Sequence, residues 1–140
     1  MSSTPAPAAR PVASARAAQT ISWLLVACIA VQAALSGPAW FQRPSLFELH
    51  GWLGIATLLL AVALAVMAFV SRLPVWTRST SLLLVVGSFG QIGLGYAGHR
   101  GGLAVASSVH VPLGVALLGM AVAVAVATRL LPRVPAATGG

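Results

Sequence analysis

The sequence predicts an all-α protein: a polytopic membrane four-helix up-down bundle built from a tandem two-helix repeat. Three observations carry that expectation. The chain is 59% hydrophobic and 6% charged, with a mean hydropathy of +0.96. Soluble domains carry about 25% charged residues, so lipid must be the solvent for most of this surface. Four apolar stretches recur along the 140 residues, each matching the roughly 17–25 helical residues that cross a bilayer. Finally, the phrase His-x-x-Leu-Gly occurs twice, as HGWLG from His50 and HVPLG from His110, 60 positions apart.

Residues 1–19 are rich in Ala, Pro and Ser without apolar periodicity, and read as a disordered cytoplasmic tail. The transmembrane domain follows over residues 20–130, with helices at about 20–37, 46–71, 80–98 and 103–129. Residues 131–140 form a second cytoplasmic tail. Backbone groups in lipid are satisfied only by helices or a closed barrel, and four segments are too few to close a barrel. Short connections make sequential helices antiparallel neighbours, which sets the second and fourth helices on a diagonal. The first helix also has the basic flank and small residues of a signal peptide. Cleavage there would remove half of one repeat unit, which argues for a retained span.

The charge pattern orients the bundle. Eight arginines, no lysine and one acid, Glu48, leave a net charge of +7. Arg10, Arg16, Arg72, Arg78, Arg129 and Arg133 fall on one side, Arg43 and Arg100 on the other. The positive-inside rule then places both termini in the cytoplasm, across the plasma membrane. The arginines sit at segment ends rather than along one face, which speaks against a nucleic-acid partner. Cys28 is the sole cysteine, so no intramolecular disulfide or CxxC chemistry is available. It reads as a small buried apolar residue.

The repeat is larger than its phrase. The first helix carries Cys28-xxx-Gln32-xxx-Ser36 and the third carries Gly87-xxx-Gln91-xxx-Gly95. Gln32 and Gln91 are 59 positions apart, in register with the histidines to within one residue. Tandem repeats of this kind are a common way to build membrane bundles.

His50 and His110 each lie near the start of a helix that runs from outside to inside. They share a depth in the outer half of the membrane and face one another across the bundle axis. A histidine in lipid needs a partner. No acid lies deep in the apolar segments to form a proton relay, and zinc wants three or four ligands. Two opposed imidazoles suit the two axial positions of a haem iron. Gly54 and Gly114 each follow a histidine by four residues, on the same helix face, leaving room for a flat macrocycle. Thr57 and Ala61 continue one stripe, Leu117 and Ala121 the other. The plainer alternative is that small residues simply let helices approach and each histidine is hydrogen-bonded structure.

Other residues have paired readings. Arg43, Arg100 and His99 stand on the side where haem propionates would emerge, and guanidinium–carboxylate bonds are strong. His99 reads more simply as a solvated loop residue. Glu48 is an interfacial acid that pairs with Arg43 or Arg100, or acts near the site. Gln32 and Gln91 act as interhelical glue, or fix the orientation of the ligand rings. Trp23, Trp40, Trp52 and Trp76 suit an aromatic belt, with packing on the cofactor as the alternative for Trp52. Pro112 lies in a first helical turn or bends the fourth helix beside His110.

The run GQIGLGYAG…SVHVPLGVALLGM, from Gly90 to Met120, is similar to the third and fourth helices of one four-helix half of the haem A synthases. The pattern over residues 21–128 also resembles small b-type cytochromes of the b561 kind. The resemblance implies haem b ligated by His50 and His110. The synthases carry a glutamate three residues before a ligand histidine; here that position is Phe47 and the acid stands at Glu48. Haem binding is therefore implied, and catalysis by the synthase route is not. The expected function is an integral membrane b-type haem protein, in electron transfer or haem handling near the outer leaflet, with no catalytic activity of its own. Its partners would be the lipid bilayer and a quinone or membrane redox protein, and a homodimer or larger complex is compatible. The alternative is a cofactor-free structural or accessory subunit of a membrane complex.

Overall fold

In the computed structural model, which describes residues 12–130, four helices follow one another: α1 (Val12–Phe41), α2 (Leu46–Val70), α3 (Val75–His99) and α4 (Ala104–Leu130). Each packs on its sequential neighbour and α1 closes the ring against α4, whereas α1–α3 and α2–α4 are not in backbone contact. This is the up-down bundle with α2 and α4 on a diagonal. All four helices are long and apolar enough to cross a membrane. Their outward faces carry large apolar side chains such as Leu59, Val66, Val86, Phe89 and Val115. With lipid as solvent these faces cost nothing, and the chain is a multi-pass membrane protein. His50 and His110 lie at one end, with the turns that hold Arg43 and Arg100. Arg16, Arg72, Arg78 and Arg129 lie at the other.

The repeat is written in the burial pattern. Apart from Ala39 near its end, the inward residues of α1 are Ala18, Ser22, Leu25 and Ile29; those of α3 are Thr77, Ser81, Leu84 and Ser88. Every pair is 59 positions apart. Those of α2 are Thr57, Ala61, Leu64, Ala65 and Ala68; α4 buries Leu117, Ala121, Val124, Ala125 and Thr128, each 60 positions on, and Ala106 besides. The two helix pairs are thus related by a pseudo-two-fold axis along the bundle, the parallel type of repeat. Leu25, Leu64, Leu84 and Val124 fill the centre. Small and hydroxylic residues let the backbones approach, as where Ser22 Oγ meets Thr128 Oγ1 at 3.3 Å between α1 and α4.

Helix ends depart from expectation. Helix α1 starts at Val12, not near residue 20, so residues 12–19 of the expected tail are helical. The segment is alanine-rich, and alanine is the strongest helix former. Ala18 is fully buried against Ala68 and Leu73. Helix α1 also continues through Gly37 and Pro38 to Phe41, where the Pro38 carbonyl accepts from the amides of both Gln42 and Arg43 and ends the helix. Helix α3 starts at Val75 rather than 80, directly after Pro74, so Arg78 belongs to its first turn. Pro112 lies inside α4, where it withholds a donor from the Ser108 carbonyl. The remaining tail residues, 1–11 and 131–140, lie outside the described residues.

Candidate functional site

Four residues into α2 and six into α4, His50 and His110 bring their rings together across the bundle axis. At about 1.5 Å of rise per residue, they sit roughly 6 Å and 9 Å below the helix starts. The ring centroids are 6.1 Å apart and the planes are tilted by 54°. Because α2 and α4 themselves do not pack, this meeting is made by side chains alone.

The glutamines of the repeat position the rings. His50 Nδ1 lies 3.2 Å from the Gln32 carbonyl. A carbonyl only accepts, so Nδ1 is the donor here, which in the neutral ring leaves the lone pair on Nε2. In the second unit His110 Nδ1 is buried without a hydrogen-bond partner. Gln91 Nε2 donates to the His110 carbonyl at 2.8 Å, while Gln32 Nε2 donates to Thr57 Oγ1. Each glutamine therefore ties the first helix of its unit to the second.

The two glycines face the glutamines of the repeat. A Cβ on Gly54 would stand 3.5 Å from Gln32 Oε1, and one on Gly114 would stand 2.8 Å from Gln91 Nε2. The glutamine amides that hold the histidine-bearing helices thus lie next to these glycines, more closely at Gly114 than at Gly54. A glycine that does serve a ring is Gly95, where a Cβ would approach His110 Cε1 to 3.3 Å. It sits on the small-residue stripe of α3, one turn beyond Gln91, and only the fold shows which ring it faces.

The two units differ one turn deeper. Unit one pairs Cys28 with Thr57, whose hydroxyl meets the Cys28 sulfur at 3.3 Å and donates to the Leu53 carbonyl at 2.8 Å. Unit two has Gly87 and Leu117 at the equivalent places, with Leu117 Cδ2 filling the space over Gly87. The leucine that interrupts the small stripe is matched by a missing side chain across from it.

Around the histidine end, Arg43 is exposed in the α1–α2 turn and Glu48 is exposed in the first turn of α2. Arg100 caps α3 and lies over the Tyr96 ring at 5.1 Å. His99 is the last residue of α3 rather than a loop residue, and it stacks on Phe47 at 4.0 Å with planes 26° apart. Trp52 is 64% exposed, on the lipid side of α2, which suits the aromatic belt. Trp23 and Trp76 are exposed as well, and the Trp40 side chain lies outside the described residues. Among the described residues no three of His, Cys, Asp or Glu are gathered to hold a metal ion.

A family model described as a family of unknown function (DUF6220) matches residues 32–98, just under half of the chain. The matched stretch is similar to that family from Gln32 through α2 and α3, includes His50 and Gln91, and stops short of His110. No curated protein matches this chain, and no solved structure does.

Proposed function

We propose that the protein holds one b-type haem between His50 and His110 and works in one-electron transfer or haem handling near the outer leaflet of the plasma membrane, with both termini cytoplasmic. The observation that carries this reading is the 6.1 Å between the ring centroids. Two imidazoles that each bond a central ion through nitrogen at about 2 Å have their centroids roughly 6 Å apart. The second nitrogen of His50 also fits: metal-bound histidines characteristically donate their other N–H to a carbonyl or carboxylate, as His50 does to Gln32.

Haem held by His50 and His110 would supply a one-electron ferric–ferrous couple. The chain's own residues do the rest. The Gln32 carbonyl fixes the His50 tautomer and presents Nε2 as the ligand atom. Gly95 gives the His110 ring its place against α3. Arg43 and Arg100, at the same end and with no acid deep in the bundle to claim them, are suited to the propionates. A site in one half of the membrane needs a second carrier to move charge across, which points to a quinone or a membrane redox protein.

One observation favours the cofactor-free alternative. Gln32 with His50 and Gln91 with His110 already tie helices together, as interhelical polar contacts in structural subunits do. An absorption spectrum of the detergent-purified protein separates the two. The haem reading expects a Soret band that shifts on dithionite reduction and is lost in His50→Ala. Colourless protein from haem-sufficient cells defeats it and supports the structural subunit.

A further inference from the structure

The two histidines of the pair are not held alike. His50 Nδ1 donates to the Gln32 carbonyl at 3.2 Å, whereas His110 Nδ1 is buried without a hydrogen-bond partner. The repeat makes the comparison direct, because Gln91 stands 59 positions after Gln32 and His110 stands 60 after His50. Gln91 does bond His110, but through Nε2 to the backbone carbonyl at 2.8 Å. That bond ties the helices and leaves the ring without a partner.

The helix that carries each ring differs too. Pro112 lies inside α4, and its missing N–H leaves the turn around His110 one backbone bond short. The equivalent residue of α2 is Trp52, and the α2 sequence contains no proline. Behind the His110 ring stands only Gly95, where a Cβ would come within 3.3 Å of Cε1 and 3.8 Å of Nδ1. The equivalent residue of unit one is Ser36.

The bond made by the second nitrogen of a metal-bound histidine orients the ring and raises its basicity, and losing that partner weakens metal binding by about 10–100-fold. We propose that His50 is the anchoring ligand of the haem and His110 the yielding one, so that a small uncharged donor ligand takes the place of His110 on the iron. This rests on haem lying between the two histidines, as proposed above. The exchange needs no oxidant or reductant: the bond from His110 Nε2 to iron breaks, the lone pair of the entering ligand replaces it, and His110 departs as the neutral ring. The segments around the pair are apolar, and their one acidic side chain, Glu48, is exposed. Burying a charge there is costly, which favours an uncharged ligand over an ion.

Carbon monoxide, added to the dithionite-reduced full-length protein in detergent, is the probe. The Soret band reports its binding, and haem is counted per chain. The parent should bind carbon monoxide. His110→Ala should keep one haem per chain, become high spin when oxidised and bind carbon monoxide at least about tenfold more tightly than the parent, whereas His50→Ala should keep less than about a tenth of its haem. Gly95→Ser puts a hydroxyl beside Nδ1 and offers the ring the acceptor it lacks, so it should weaken carbon monoxide binding by about tenfold or more. Should His50→Ala lose its helical circular dichroism, the parent and Gly95→Ser carry the test. Parent protein without haem defeats the haem reading and this proposal with it. A parent that holds haem but does not bind carbon monoxide overturns this proposal alone. So do equal haem losses in the two alanine variants, or a Gly95→Ser protein that binds carbon monoxide as the parent does.

Discussion

Replacing Gly87 by alanine tests whether the two units are packed as complementary variants of one plan. A Cβ at that position lands 2.5 Å from Leu117 Cδ2 and 3.4 Å from its Cγ, where carbon atoms settle at about 3.5–4.0 Å. Leu117 is 3% exposed and part of the central cluster, so it must shift by roughly 1 Å against packed neighbours. Overpacking of this kind costs about 1–3 kcal/mol. The helix propensity gained on replacing glycine offsets up to about 1 kcal/mol, leaving a net loss of about 1–2 kcal/mol. Unit one shows the remedy, because there Cys28 stands opposite Thr57 rather than opposite a leucine. Leu117→Thr alone leaves a cavity and destabilises. Combined with Gly87→Ala it relieves the clash and offers Gln91 a hydroxyl, as Thr57 does for Gln32. The double variant should therefore be more stable than the sum of the single effects, with a coupling of about 1 kcal/mol or more. Unfolding by SDS in mixed micelles, followed by far-UV circular dichroism, gives the four free energies. A Gly87→Ala protein as stable as the parent, or additive single effects, would refute the reasoning.

Other outcomes follow from the same geometry. Gly54→Ala meets only an ordinary 3.5 Å contact and should be tolerated, whereas Gly114→Ala crowds Gln91 Nε2 at 2.8 Å and should cost about 1 kcal/mol through the bond to the His110 carbonyl; the same SDS titration compares the two. At Gly98 a Cβ meets the backbone nitrogen of Ser107 at 3.1 Å, and backbone cannot rotate away, so Gly98→Ala should lower the thermal midpoint of the detergent-solubilised protein by more than Gly54→Ala does. Trp52 is exposed on the lipid side. In vesicles of brominated lipid, fluorescence should be quenched less in Trp52→Phe than in the parent, and equal quenching would place Trp52 away from lipid.

Much of this architecture is legible in the amino-acid sequence. The four spans follow from hydropathy, and the diagonal follows from short loops. The facing of His50 and His110 follows from the repeat register, because a 59- and 60-residue offset leaves little freedom in how two helix pairs meet. Helix ends are less legible. Val12 to Gln19 mixes arginine with small residues, and Val75 to Arg78 joins an arginine to a tryptophan; at the membrane interface a helix no longer needs an apolar face and hydropathy marks no boundary. The role of Gly54 and Gly114 is hidden for a different reason. One helix reveals that a side chain is missing, but what occupies the gap belongs to a pair of helices. Gln32 and Gln91 are visible on their stripes, yet nothing in a single stripe says that their amides lie over those glycines. The exchange of Cys28 and Thr57 for Gly87 and Leu117 is likewise present in the letters and becomes an interaction only when the units are folded.

The central claim is that His50 and His110 bind one iron from opposite sides. Low-temperature electron paramagnetic resonance of the oxidised, purified protein, with haem quantified per chain, addresses it most directly. The account predicts one haem per chain with a low-spin ferric signal, converted to high spin or lost in either His50→Ala or His110→Ala. A high-spin signal in the parent protein, or a low-spin signal that survives His110→Ala, would contradict it.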